Sequence, residues 1–302
     1  IELDPRSLSE EWGQVLGFVG ITRASMGVQT FSPRLQAAIG RVQPEEQIVR
    51  GTEMLRRSGI TSLNFDLMYG LPGQDLADLE HTLERTVALG ADRIALFGYA
   101  HVPHIIPRQQ QIDATGLPDQ AERFAMAAFG FDYLTRAGYV PVGFDHFARP
   151  GDPLAAAATT GKLHRNFQGF TDDPAPVLIG LGASSISGFP GLLAQNEKNA
   201  GRYRMLLSQD VLPTVCGVTR SPADRALGRL IEDLLCGGEA RIGKDRVRRL
   251  APSLAPFIER GLATLAGDAL RILPQGLPYA RTIAALFDPY RQDSLRRFSS
   301  AV

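Results

Sequence analysis

Cysteine is scarce: the 302 residues include two, Cys216 and Cys236. Two thiols exclude a disulfide framework, and their spacing matches no zinc motif, so they read as unrelated buried residues. A charge excess is also missing, with 32 basic residues against 32 acidic ones. That argues against nucleic acid as a main partner. No apolar run is long enough to span a bilayer, so no membrane partner is expected. The opening IELDPRSLSEE does not read as a signal peptide, and a reducing cytoplasm is the expected compartment. No GxGxxG follows a strand, which leaves a dinucleotide fold without support. No nucleophile elbow and no serine–histidine–acid order stands out. The first residues, IELDP, alternate apolar and acidic side chains up to Pro5. They read as the inside of a strand, so the chain is expected to lack its own beginning.

What is present is globular: 44% hydrophobic and 21% charged, enough core for one large domain or two ordinary ones. The central stretch is TSLNFDLMYGLPGQ, residues 61–74. It reads as a buried strand ending in a glycine-rich loop, where Pro72 stops the ladder. Asp66 puts a charge among its apolar residues, which is costly unless paired. A carboxylate leaving a parallel strand marks the end where α/β proteins bind ligands.

Around it, ITRASMGVQ (21–29) and ADRIALFGYAH (91–101) read as further strands. Helices are predicted over 7–19, from Ser32 with Pro33 at its first position, and over 44–58, 75–89 and 122–137. The exits Gln29, Asp66 and Ala100 recur at about 35 residues, a βα period. The three strands look apolar on both faces, as parallel strands covered by helices are. Residues 1–147 therefore read as the last four βα units of a barrel or partial barrel, with a doubly wound sheet as the alternative. Residues 102–118 read as a loop and 139–144 as a last strand. Residues 148–302 are expected to form a mostly helical second domain, with helices over 195–208, 222–235 and 280–287. Residues 267–274 and the following PQG suggest a small β-wing, read as scaffold rather than as a DNA reader.

Polar groups at successive strand exits converge at the carboxyl end of a parallel sheet: Glu2, Gln29, Asp66 and the backbone at 99–101. Carboxylates suit ribose hydroxyls, an amide suits a polar edge, and a carbonyl suits an exocyclic amine, so the chemistry suggested is nucleoside recognition. His101 and His104 flank Pro103 and lack zincin spacing; pairing with an acidic substrate is the preferred reading. The run KLHRNFQGF, 162–170, holds two cations, a histidine, two amides and two aromatics. It reads as a pocket wall in which Arg165 clamps a carboxylate, helped by His164 and Gln168, with Arg149 as the alternative clamp. Gly180-x-Gly182 with Ser184 and Ser185 suggests a close backbone approach to a ligand.

The segments GVQTF, NFDLMYGLPGQ, FGYAH, GFDHFARP, LHRNFQGF and IGLGASSIS, in this order and at these spacings, resemble oxygen-independent coproporphyrinogen III oxidase. That is a radical S-adenosylmethionine family of haem biosynthesis. LHRNFQGF and DHFARP separate it from its haem-chaperone relatives. The resemblance implies an α/β fold: a partial (β/α) barrel over 1–147, then a mostly helical substrate-covering domain over 148–302 that ends in a winged-helix-like segment. It implies a 4Fe–4S cluster and two S-adenosylmethionine molecules. A 5′-deoxyadenosyl radical converts two propionates of coproporphyrinogen III to vinyl groups, giving protoporphyrinogen IX. An electron donor and an electron acceptor are implied, and a monomer is expected. By motif matching, Glu2, Gln29, Arg41, Asp66, Ala100 and Ile186 fall on the family's S-adenosylmethionine contacts. The family's three close cluster cysteines are absent. The expectation is therefore the C-terminal two-thirds of such an enzyme, inactive without the missing part. A tetrapyrrole-binding haem chaperone and an inactive pseudo-enzyme are the alternatives.

Overall fold

Apolar residues in the first half of the chain switch repeatedly between a period of two and a helical period, and the backbone follows. In the structure, a computed structural model that describes residues 1–292, the strands are β1 (Glu2–Leu3), β2 (Arg23–Gln29), β3 (Ser62–Tyr69) and β4 (Arg93–Gly98). Between them run α1 (Glu10–Phe18), α2 (Pro33–Ala38), α3 (Glu45–Arg57) and α4 (Leu76–Ala88). Then come α5 (Gln120–Arg136) and the hairpin of β5 (Val140–Val142) and β6 (His146–Ala148). Asp75 and Asp119 start α4 and α5 with reciprocal capping boxes to Asp78 and Glu122. Gly59, at φ 92°, turns the chain after α3.

These strands form one sheet in the order β1-β2-β3-β4-β6-β5. β1 to β4 are parallel and lie in chain order, with no reversal of the kind that defines a doubly wound sheet. The strand expected over 139–144 is β5; it reaches β4 only through β6, which pairs antiparallel to both.

One face of this sheet is the core. Ala24, Met26 and Val28, then Leu63, Phe65 and Leu67, then Ile94 and Leu96 pack with Leu16, Ile48, Leu55, Leu79, Leu83 and Met126 of the helices. Full burial of each large side chain is worth about 1.5–3 kcal/mol. The other face carries Ser25, Asn64, Asp66 and His146, all half-buried. The strands are thus not apolar on both faces, because the helices cover only one. Asp66 sits in mid-strand on the polar face, not at the exit of β3.

The chain divides into two compact units after Ala156, beyond the expected boundary at 147. The intervening segment is tied to the starts of β3 and β4. Asp152 pairs with Arg93 at 2.7 Å and accepts from Ser62 Oγ at 2.8 Å, and the Arg149 N–H donates to the Asp92 carbonyl.

The second unit is not mostly helical. After α6 (Pro153–Thr159), which spans the division, it contains a hairpin of β7 (His164–Asn166) and β8 (Gly169–Thr171). A sheet in the order β11-β10-β9 follows, from β9 (Ile186–Phe189), β10 (Leu192–Asn196) and β11 (Thr214–Thr219). The last sheet, β12-β14-β13, comprises β12 (Glu239–Arg241), β13 (Ala263–Ala266) and β14 (Ala269–Ile272). The helices are α7 (Ala200–Ser208), α8 (Pro222–Gly237), α9 (Lys244–Glu259), α10 (Ala280–Ala285) and α11 (Pro289–Gln292). The helix expected from 195 starts at Ala200, because Gln195 and Asn196 pair in β10 and Asn199 caps the turn. The wing expected at 267–274 is the β13–β14 hairpin, which turns at Gly267 (φ 65°). Helix α9 escaped the sequence reading because Pro252 and Pro256 interrupt it, yet Leu250 and Leu254 still bury one side. Residues 293–302 of the expected second domain lie outside the described residues.

Candidate functional site

Register builds a polar patch on the open face of the first sheet. Glu2 lies beside Ser25, Ser25 beside Asn64, and Gly27 beside Asp66. Ser25 Oγ donates to Asp66 Oδ2 at 2.9 Å, and Asn64 Nδ2 donates to Asp66 Oδ1 at 2.7 Å. Burial nevertheless pushes the Asp66 carboxyl above its ordinary value, against these two hydrogen bonds. The negative charge of Glu2 adds to the upward push, and His146 opposes it.

The exit of β2 is held by side chains the sequence reading passed over. Gln36 and Gln43 are buried; Gln36 Nε2 donates to the Thr30 carbonyl and Gln36 Oε1 accepts the Gln43 N–H. Gln43 Nε2 donates to the Val28 carbonyl. This clamp holds Gln29 in the left-handed region at φ 68°, unusual for a residue with a Cβ. Arg41 Nη2 donates to the Gly27 carbonyl at 3.0 Å and lies 3.4 Å from Asp4 Oδ2. A Cβ at Gly27 would lie 2.9 Å from both Arg41 Nη2 and Gln29 Nε2, so the guanidinium and the amide meet over a glycine. Among the described residues, Gln29 Oε1 and Asn64 Oδ1 are buried and have no hydrogen-bond partner. Such an orphan costs about 1–3 kcal/mol, which a bound donor would recover. A carboxylate, an orphaned amide oxygen and a cation over a glycine fit a ligand with hydroxyl, amine and carboxylate groups.

Beyond β4, the Ala100 carbonyl accepts from Gln109 Nε2 at 2.9 Å, and Gln109 Oε1 accepts the Val102 N–H at 2.6 Å. The loop carrying Ala100 is thereby pinned. His101 Nδ1 lies 3.3 Å from the Tyr99 hydroxyl. Arg123 of α5 also comes to these strand ends: a Cβ at Gly98 would lie 3.1 Å from its Nη2. No sequence signal marked it, because a lone arginine in a helix looks like any solvated one. Arg149 is not brought here. It follows Ala148, which pairs with Arg93 at the start of β4, the opposite end from Ala100.

In the second unit, the Arg165 guanidinium stacks over the Phe170 ring at 4.8 Å, and the Arg165 backbone N–H donates to Glu232 Oε1 at 3.0 Å. His164 Nδ1 is 3.4 Å from the same oxygen. Of the two expected aromatic anchors, Phe170 is buried, but Phe167 is 53% exposed at the hairpin tip beside Gln168. A cavity of about 320 Å³ opens between this hairpin, the segment 173–178 and the strands β9 and β10. Gln168 does not line it. Ile186 begins β9, and a Cβ at Gly180 would lie 2.8 Å from its carbonyl oxygen. The close approach read from the glycine pattern is thus to the chain's own backbone. Asn196, also missed, donates to the carbonyls of Gly180 and Gly182 and closes that loop.

The cysteines do not fit an iron–sulfur cluster. Cys216 is exposed, whereas Cys236 is half-buried, its thiol pushed up to about 12 by burial and by Glu232. Among the described residues, no group of three His, Cys, Asp or Glu side chains is placed to hold a metal ion. Likewise, no helix among them is long and apolar enough to cross a membrane.

Residues 1–86 match the model of the radical SAM superfamily. An oxygen-independent coproporphyrinogen III oxidase from Paracoccus denitrificans is 42% identical over 96% of this chain and 66% of its own length. One from Thermostichus vulcanus is 38% identical, with 100% of this chain and 97% of that protein covered. The solved structure of coproporphyrinogen III oxidase from Escherichia coli, described as a radical SAM enzyme, superposes with a TM-score of 0.85 at 34% identity. It covers 96% of this chain and 69% of that one. The chain thus spans about two thirds of the Paracoccus and Escherichia proteins and nearly all of the Thermostichus one.

Proposed function

The chain belongs to the oxygen-independent coproporphyrinogen III oxidase family, and from that premise we propose that it serves the conversion of two propionate side chains of coproporphyrinogen III to vinyl groups, giving protoporphyrinogen IX in haem biosynthesis. In each conversion the propionate loses one hydrogen atom, one carbon dioxide and one further electron, and that electron requires an acceptor. The observation that carries the reading is the match to the Escherichia coli oxidase across 96% of this chain. The haem-chaperone and pseudo-enzyme alternatives are not favoured, since relatives covering the whole chain carry the oxidase name.

When bound, S-adenosylmethionine supplies the radical that removes a propionate hydrogen. In our reading, two molecules bind. Asp66 and Glu2 accept ribose hydroxyls, and Arg41 clamps the methionyl carboxylate over Gly27. Gln29 Oε1 accepts an N–H, the Ala100 carbonyl offers its remaining lone pair, and Ile186 is retained as a proposed contact. The orphaned oxygen of Gln29 supports this set. The chain-order parallel sheet with a polar face supports a partial barrel. The succession of α8, β12, α9, β13 and β14 supports a winged-helix-like end. Arg165, His164, Gln168 and His101 are proposed for the substrate carboxylates; Arg149, at the far end of the sheet, is set aside. A cytoplasmic monomer that takes electrons from a separate donor completes the reading.

The test is an anaerobic assay of the complete enzyme carrying Arg165→Lys. Lysine keeps the charge but loses the planar fork. Turnover of coproporphyrinogen III should fall at least tenfold while reductive cleavage of S-adenosylmethionine persists. Equal loss of both moves Arg165 out of the substrate site, and unaltered turnover removes it from the mechanism.

A further inference from the structure

We propose that the cavity in the second unit is a carboxylate-anchoring subsite and that Arg220, which follows β11, is its clamp; the inference rests on the tetrapyrrole reading above. Arg220 and Arg165 reach the same cavity from different elements. Arg220 Nη2 donates to the carbonyls of Phe189 at 3.0 Å and Pro190 at 3.4 Å, which fixes the plane of its guanidinium. Its Nε is buried and has no partner among the described residues. A buried N–H of a charged group, held in place and unpaired, calls for an acceptor. The two carboxylates at the cavity do not supply it. Asp173 is exposed and caps its own turn at the Ala175 N–H, while Glu232 accepts the Arg165 backbone N–H.

Val177, Leu178, Phe189 and Leu193 add apolar surface to the wall, beside the polar side chains of His164, Asn166 and Thr171. Two cations together with aliphatic and aromatic carbon in one cavity suit a flat apolar ring bearing a carboxylate arm. About 320 Å³ is small for a whole tetrapyrrole, at the lower end of ligand pockets. It suits one pyrrole with its propionate. The subsite would hold a propionate that is not reacting and so set which arm faces the chemistry.

The test uses the 302-residue chain with three probes: coproporphyrin III, its tetramethyl ester and 3-phenylpropionate. S-adenosylmethionine binding and melting temperature are followed alongside. Arg220→Gln should weaken coproporphyrin binding about tenfold or more. Ester and S-adenosylmethionine affinities should stay unchanged, and Arg220→Lys should fall between. Acid and ester weakened alike with a lowered melting temperature would show a structural role and overturn the proposal. Unchanged coproporphyrin affinity in Arg220→Gln removes the subsite and leaves the tetrapyrrole reading intact. A wild-type chain that binds phenylpropionate through Arg220 but no coproporphyrin keeps the subsite and removes the tetrapyrrole. Binding of neither overturns both.

Discussion

Asn64 Nδ2 donates to Asp66 Oδ1 at 2.7 Å, two residues along one strand and on the same face. Ser25 of the neighbouring strand donates to the other carboxylate oxygen. Asp66 is therefore aimed and held before any ligand arrives, although burial disfavours its charge.

Asp66→Asn should weaken S-adenosylmethionine binding by about 1–3 kcal/mol, the scale for losing a charged acceptor. Stability should move the other way. The folded-state pKa is raised above 3.8, so the folded state holds the proton more tightly than the unfolded chain does. The ligand-free wild type should lose stability as pH rises from 3.8 through the raised value, and asparagine should remove that slope. Thermal melts across pH, with calorimetry for binding, read both. Unchanged affinity with a collapsed melting temperature would make Asp66 structural.

Gly27→Ala tests the glycine under Arg41 and Gln29. The new methyl would meet the ends of Arg41 and Gln29, which can swing aside, so the fold should survive. Occupying the space where the two groups converge should cut S-adenosylmethionine affinity at least tenfold at nearly constant melting temperature. Equilibrium dialysis measures the loss.

Asp4 titrates with the opposite sign to Asp66. Its hydrogen bond from Arg6 holds the carboxyl at about 2, and Arg41 adds attraction. Its contribution to stability is complete above 3.8 and is lost as pH falls towards about 2. Asp4→Asn should flatten acid unfolding in that window and lower the neutral melting temperature, because the contribution it removes is complete there. Circular dichroism during acid titration reads the slope.

The two thiols should behave differently. At pH 8, exposed Cys216 should react promptly with a thiol reagent, while Cys236, held up at about 12, should react only on unfolding. Anaerobic reconstitution of this 302-residue chain should give no stoichiometric brown cluster species. Absorbance checks this, and a stable cluster would overturn the reading of the cysteines.

By itself, the sequence determined the local structure of the first unit and the family. Its periodicities place β2, β3, β4 and α3 to α5 within a few residues, because strand and helix periods are set by near neighbours. The motifs from GVQTF to IGLGASSIS carry the kinship. Only the tertiary structure decided which face of the sheet stays polar, since an alternating strand does not say which side the helices will cover. Register then put Ser25 beside Asn64 and Gly27 beside Asp66. The Gln43 and Asn196 clamps and the β9–β10–β11 sheet were illegible for the same reason: each depends on partners brought together by folding. Arg149 shows the converse. Its motif is a family signature, yet the antiparallel turn into β6 carries it to the start of β4, because the direction of a strand is set by its pairing partner and not by its own residues.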